Sequence, residues 1–206
     1  METKTNALAK SGAKKFDTGK LVGIGLLTAI VIVLQMIALG MRFGMFSITF
    51  VLVPIVVGAA LYGWKAGAWL GFVFGVVVVI TDAAAFLAIN IPGTIAVCLI
   101  KGAVAGLVAG LIYKALSKKN ETVAVIVAAV ATPVVNTGIF LLGCTVFFLD
   151  TITAWAAGAG FESVGTYMIV GLVGINFLIE LAINLVLNPV IVRLIRIGKK
   201  EVRTNS

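Results

Sequence analysis

The 206-residue chain contains no histidine. Its absence removes the commonest route to a zinc or haem site and to proton transfer near neutral pH. Cysteine occurs only twice, as Cys98 and Cys144, each inside an apolar run and with no CxxC partner. Neither a redox pair nor a structural metal is expected, and both read as small core residues. Charge is scarce as well: charged residues make up 12% of the chain and hydrophobic ones 61%, at a mean hydropathy of +1.18. A soluble domain of this length needs far more charge to cover its surface. Acidic residues are the scarcest ionic class, eight against sixteen Lys and Arg. What remains is apolar sequence in runs of roughly 20 residues, the length that spans a bilayer as a helix.

These runs predict an all-α, polytopic membrane protein of six transmembrane helices in a compact bundle. The expected spans are 20–40, 47–63, 66–82, 91–115, 122–148 and 166–194. The turn Tyr62-Gly63-Trp64-Lys65 makes the second and third an antiparallel hairpin, and Pro92 suits the first turn of the fourth. Residues 1–18 read as a disordered, lysine-rich tail, 19–196 as the membrane domain and 197–206 as a second basic tail. The first apolar run, Leu21 to Leu39, is too long for a cleavable signal peptide and no small-residue cleavage site follows it.

Fourteen of the sixteen Lys and Arg fall before the first span, between the second and third, between the fourth and fifth, or after the sixth. The positive-inside rule makes that face, with both termini, cytoplasmic. The basic excess is therefore topological and meets anionic lipid; no nucleic-acid module accompanies it. Arg42 and Lys101 are the two basic residues outside this pattern, and Asp82, Asp150 and Glu162 fall on the outer side.

Small residues recur at helical spacing. Gly63, Gly67, Gly71 and Gly75 run through the third span, and Gly102, Gly106 and Gly110, flanked by Ala105 and Ala109, through the fourth. Such seams let membrane helices approach closely. Gly25 and Ala29 form a further pair in the first span, either an internal contact or an exposed patch for a partner's helix.

Polar groups at bilayer depth are costly unless paired or turned to a cavity, which makes each a functional candidate. At 1.5 Å per residue, Lys101 and Asn176 lie roughly 15 Å from the outer surface and Asn136 roughly 18 Å. Three residues of complementary chemistry at one depth predict the floor of a pocket open to the outside. Gln35, Arg42, Ser47, Asp82 and Asn90 would form its rim, and the long loop carrying Trp155, Phe161 and Tyr167 a lid. Glu180 lies just beneath Asn176 and either neutralises Lys101 or joins it at the ligand. In the sixth span Asn176, Glu180, Asn184 and Asn188 are four apart, a stripe that drifts about 120° around a helix from first to last. Asn176 and Glu180 form its binding end, and Asn184 and Asn188 are expected to bond neighbouring helices.

The chain resembles the substrate-binding S component of an energy-coupling factor (ECF) vitamin importer from about Lys20 to Arg196. Phe46 to Gly63, FSITFVLVPIVVGAALYG, is similar to the second helix of the riboflavin- and pantothenate-type branch, and Lys101 to Lys114 to the family's fourth helix. Gly25-Leu-Leu-Thr-Ala29 is similar to the motif by which S components dock on the coupling subunit, with Gly25 where Ala is usual. Asn176 matches an asparagine that riboflavin-type members use on their ligand, whereas Ile179 stands where those members often have lysine. The resemblance implies a non-enzymatic, cofactor-free subunit that binds a B-type vitamin outside, with pantothenate or riboflavin favoured. Delivery would then follow from association with a transmembrane coupling subunit and two ATPases. The absence of a GxxxxGK[ST] loop suits that division of labour. Lys101, with Arg42, would suit a carboxylate such as pantothenate. Two rivals are a stand-alone secondary transporter or channel, for which no inverted repeat of broken helices is evident, and an intramembrane enzyme, for which a lone Glu180 is poor equipment.

Overall fold

A computed structural model describes residues 18–40, 42–43, 46–47 and 50–204. The tail expected over 1–18 lies outside them save for its last residue, which opens the first helix. Helix α1 (Thr18–Ala38) leads into a two-residue antiparallel bridge, β1 (Arg42–Phe43) with β2 (Phe46–Ser47). Then come α2 (Leu52–Tyr62), α3 (Trp64–Thr81), a single turn α4 (Ala84–Leu87), α5 (Ile91–Leu116) and α6 (Glu121–Phe147). Short helices α7 (Leu149–Gly158) and α8 (Val164–Thr166) follow, then a π-helical turn at Tyr167–Leu172, α9 (Gly174–Val186) and α10 (Asn188–Thr204). In an apolar solvent only a hydrogen-bonded backbone is tolerated, which is why nearly every described residue is helical.

Four helices, α1, α3, α5 and α6, are long and apolar enough to cross a membrane; the bent pair 164–172 and 174–186, at 45°, makes a fifth if taken as one span. These elements match the first, third, fourth and fifth expected spans. Elsewhere the structure differs from expectation. The stretch 47–63 is helical only over Leu52–Tyr62, about 16 Å of rise at 11 residues. Pro54 lies in its first turn. Eight of those residues are buried, and α2 packs against α1, α3, α5, α6 and α10. The stretch 166–194 is broken, with Val173 joining the π turn to α9 and Leu187 joining α9 to α10, where Pro189 occupies the first turn. Helix α10 also continues to Thr204, past the expected end of the domain at 196.

Close backbone contact joins α3 to α5 along the two glycine rows. A Cβ added at Gly67, Gly71 or Gly75 would run into the carbonyl oxygen of Gly106, Gly102 or Cys98 respectively, and one at Gly110 into the Trp64 backbone. The seams expected from spacing are thus one interface, with the helices antiparallel. Gly63 turns α2 into α3 at φ +91°, a left-handed conformation open to glycine. Asn90 and Asn120 cap α5 and α6, each side-chain oxygen accepting from the backbone N–H three residues on, at 2.9 and 3.1 Å.

One end of the bundle collects the basic segments. Lys20 and Lys65 line one groove with Tyr62 and Trp69. The start of α3 meets the end of α5 at Gly110. Lys199 donates to Glu121 at 2.6 Å, Tyr113 donates to the same carboxylate at 2.9 Å, and Arg196 lies 3.6 Å from its other oxygen. Burial disfavours the Lys199 ammonium, but its bonds to Glu121 and Tyr113 outweigh this and hold its pKa above the ordinary lysine value.

Candidate functional site

The apolar sequence leaves few polar side chains to place, and the fold gathers most of those at depth. Lys101 from α5, Asn136 from α6, and Asn176 and Glu180 from α9 meet in a cavity of about 70 Å³. Val78 and Asp82 from the end of α3, Thr137 and Phe140 from α6, and Val173 and Phe177 at the α9 kink complete it. Helical spacing explains the pairs: Asn136 with Phe140, and Asn176 with Glu180, are one turn apart and share a face. Val173, three residues before Asn176, takes the same face across the break. Pro133 lies one turn before Asn136 inside α6 and removes a backbone donor there.

A second cavity, about 30 Å³, adjoins the first through the shared walls Val78, Asp82, Lys101 and Phe140. Its other walls are Ala83, Phe86, Thr94, Val97, Cys98 and Phe148. Phe86 meets Phe140, Phe148 and Trp155 edge to face, with centroids 5.6, 5.0 and 5.6 Å apart. One chamber is therefore polar and the other aromatic. Lys101 stands at the partition, its ammonium 5.1 Å from the Phe140 ring centre, a cation–π contact.

Three ionic residues line the polar chamber: Asp82, Lys101 and Glu180. Among the described residues no ion pair joins Lys101 to Glu180, so the direct neutralising pair between them is not formed. Glu180 is 9% exposed and Asn136 6%. The carbonyl oxygens of Asn136 and Asn176 are buried without a hydrogen-bond partner among the described residues, a costly arrangement.

The rim residues divide. Gln35 is fully buried in α1 and donates to Asp82 at 2.7 Å, behind the cavity wall, so it holds Asp82 rather than lining the space. Asp82 itself is a wall of both chambers. Asn90 is the α5 cap and lines neither. Arg42 belongs to β1, but its side chain, like that of Ser47, lies outside the described residues. The expected lid is helical rather than a loop: α7 buries Ile152 and Ala156 against Phe86, Phe140 and Phe148, and Phe161 packs on Tyr167 at 5.3 Å. Asn184 donates at 2.8 Å to the Glu180 carbonyl of its own helix, which corrects the expected bond to a neighbour; it lies one turn from that carbonyl and reaches it first. The Asn188 amide nitrogen is buried with no partner. Sequence reasoning missed Thr137, Val173, Phe177 and above all Phe140, whose one available signal was its place one turn from Asn136.

Gly25 and Ala29 lie on the outer face of α1, both exposed, and a Cβ at Gly25 would meet nothing. The pair is a surface patch, continuous with exposed Leu21, Val22, Leu26 and Val33, and not an internal contact.

No curated protein matches the chain. No solved structure matches it either. The family model described as ECF transporter, substrate-specific component, matches residues 19–192. That match covers all ten helices up to the first residues of α10, and every wall of both chambers lies within it. The chain belongs to the substrate-specific component family of ECF transporters, a family of membrane subunits that bind substrate and are not enzymes.

Proposed function

We propose that this protein is the high-affinity binding subunit of an ECF-type importer for a B-type vitamin, with the polar and aromatic chambers as its binding site. The observation that carries the reading is the convergence of Lys101, Asn136, Asn176 and Glu180, from three helices, on one cavity. An apolar pocket with a few convergent polar groups is the usual form of a ligand site. Six crossings are the proposed topology, with α2 and the kinked 164–194 segment as the second and sixth, and both termini cytoplasmic. The gathering of the basic segments at one end of the bundle supports that orientation. Gly25 and Ala29 are the proposed seat of the transmembrane coupling subunit, which with two ATPases would drive release. The expectation that Lys101 selects a carboxylate such as pantothenate loses support, because Asp82 and Glu180 share its cavity.

A thermal-shift screen of detergent-purified protein against the B vitamins tests the assignment. One vitamin should raise the melting temperature without ATP, since a ligand that binds only the folded state stabilises it by mass action. A flat response to every vitamin far above micromolar concentration would count against it.

A further inference from the structure

Where the first turns of α1 and α3 lie side by side they border a groove of about 300 Å³, separate from both chambers. Each helix builds its wall in the same order. Lys20 on α1 is followed one turn on by Ile24, and Lys65 on α3 one turn on by Trp69. Each lysine therefore lies roughly 6 Å nearer the helix start than an apolar residue of the same face. Tyr62 closes the groove against α1, where a Cβ added at Gly23 would run into its ring. Trp69 is half-exposed, and its indole N–H donates to the Thr28 hydroxyl at 3.2 Å, which fixes the ring between the two helices. The Lys65 ammonium lies 5.4 Å from the centre of the Trp64 ring, a contact that holds the long side chain at the helix start. None of the described lining residues is acidic. By contrast, Arg196 and Lys199 at the same end are engaged by Glu121, and a second groove of this size, along Phe50, Ile179 and Leu187, carries no charge.

We propose that this groove binds one anionic phospholipid, with the phosphate at Lys20 and Lys65 and an acyl chain running over Ile24 and Trp69. Basic pockets between transmembrane helices near the membrane surface hold such headgroups, and Trp and Tyr suit the boundary between headgroup and hydrocarbon. Beyond the groove, α3 continues the path. Phe72 stacks on Trp69 at 6.0 Å, and Val76 and Ile80 follow on the same face, all three exposed. From Trp69 to Ile80 the helix rises roughly 16 Å, which matches the roughly 15 Å of hydrocarbon in one leaflet. Two cations above an apolar path one leaflet deep have the shape of a phospholipid; a soluble anion would use the lysines and leave the path bare. The proposal rests on the reading of α1 and α3 as membrane spans and is independent of what the polar and aromatic chambers take.

The test reads quenching of Trp69 by lipids brominated on the acyl chain. Trp64→Phe and Trp155→Phe leave Trp69 as the one tryptophan of the full-length protein, which is placed in phosphatidylcholine vesicles. Brominated phosphatidylglycerol or brominated phosphatidylcholine is then added in rising fractions. Phosphatidylglycerol should reach half-maximal quenching at a fraction about 10- to 30-fold lower, at about 1 kcal/mol for each lysine. Lys20→Gln with Lys65→Gln should remove that preference. Lys118→Gln with Lys119→Gln, which takes the same charge from the turn after α5, should keep it. Equal quenching by the two lipids overturns the proposal and leaves the groove to ordinary bilayer chains or a protein partner. This comparison uses one protein, so it stands even if a lysine variant folds poorly. A preference that survives the loss of Lys20 and Lys65, or that the control pair abolishes as fully, overturns it too. No quenching by either lipid would take Trp69 out of the bilayer and overturn the membrane placement of α3 as well.

Discussion

At the residue scale, depth made the site legible. Counting 1.5 Å per residue from the outer ends of separate helices put Lys101, Asn136 and Asn176 at one level, and the fold brings them to one cavity together with Glu180. What the count could not show is which groups face each other, since that depends on helix rotation and on neighbours far away in sequence. Hence Asn90 caps α5 and lines neither chamber, Asn184 bonds its own helix, and Phe140, an unremarkable aromatic in an apolar run, stands under the lysine. Asn136 separates binding from packing most cleanly. An amide whose carbonyl has no protein partner contributes little to the fold and is costly to bury. Asn136→Leu should therefore weaken vitamin binding about tenfold or more while leaving the melting temperature of the empty protein unchanged or raised. A large drop in that temperature would show the amide to be structural.

At the scale of elements, spacing in the sequence was informative wherever a contact depends on having no side chain. The glycine rows of α3 and α5 were visible as a period of four, and they form a single seam in which backbone meets backbone. Gly71→Val should lower stability by about 1–3 kcal/mol or more, the range for overpacking a close contact, whereas Gly25→Val, with open space around it, should not. Equal melting temperatures for the two variants would mean that the seam yields easily. On the outer face of α1, Ala29→Leu should leave vitamin binding intact and abolish uptake by cells that express the coupling subunit and ATPases. Normal uptake by that variant would place the docking site elsewhere. Less legible were α2 and the 164–204 segment. An apolar run reads alike whether it crosses the membrane directly or starts partway in, and a π turn with a 45° bend at Val173 has no composition signal of its own.

At the scale of the molecule, several basic residues that the sequence scatters share one end of the bundle. Lys20, Lys65, Arg196 and Lys199, far apart in the chain, come to one end because each lies near a helix end on the same side of the bundle. The cavity, with Asp82 at its wall, lies toward the other end, where α3 stops. A closed body with its cavity on one side and an exposed small-residue patch on α1 suits a subunit that captures a ligand and hands it to a partner. The most direct test places the chain alone in sealed liposomes with the radiolabelled vitamin that stabilised it in the thermal screen. Counts retained should saturate at one ligand per chain and should not change with the internal volume of the vesicles, since binding without the coupling module moves nothing across. Counts that grow with internal volume would show a stand-alone transporter and contradict the assignment.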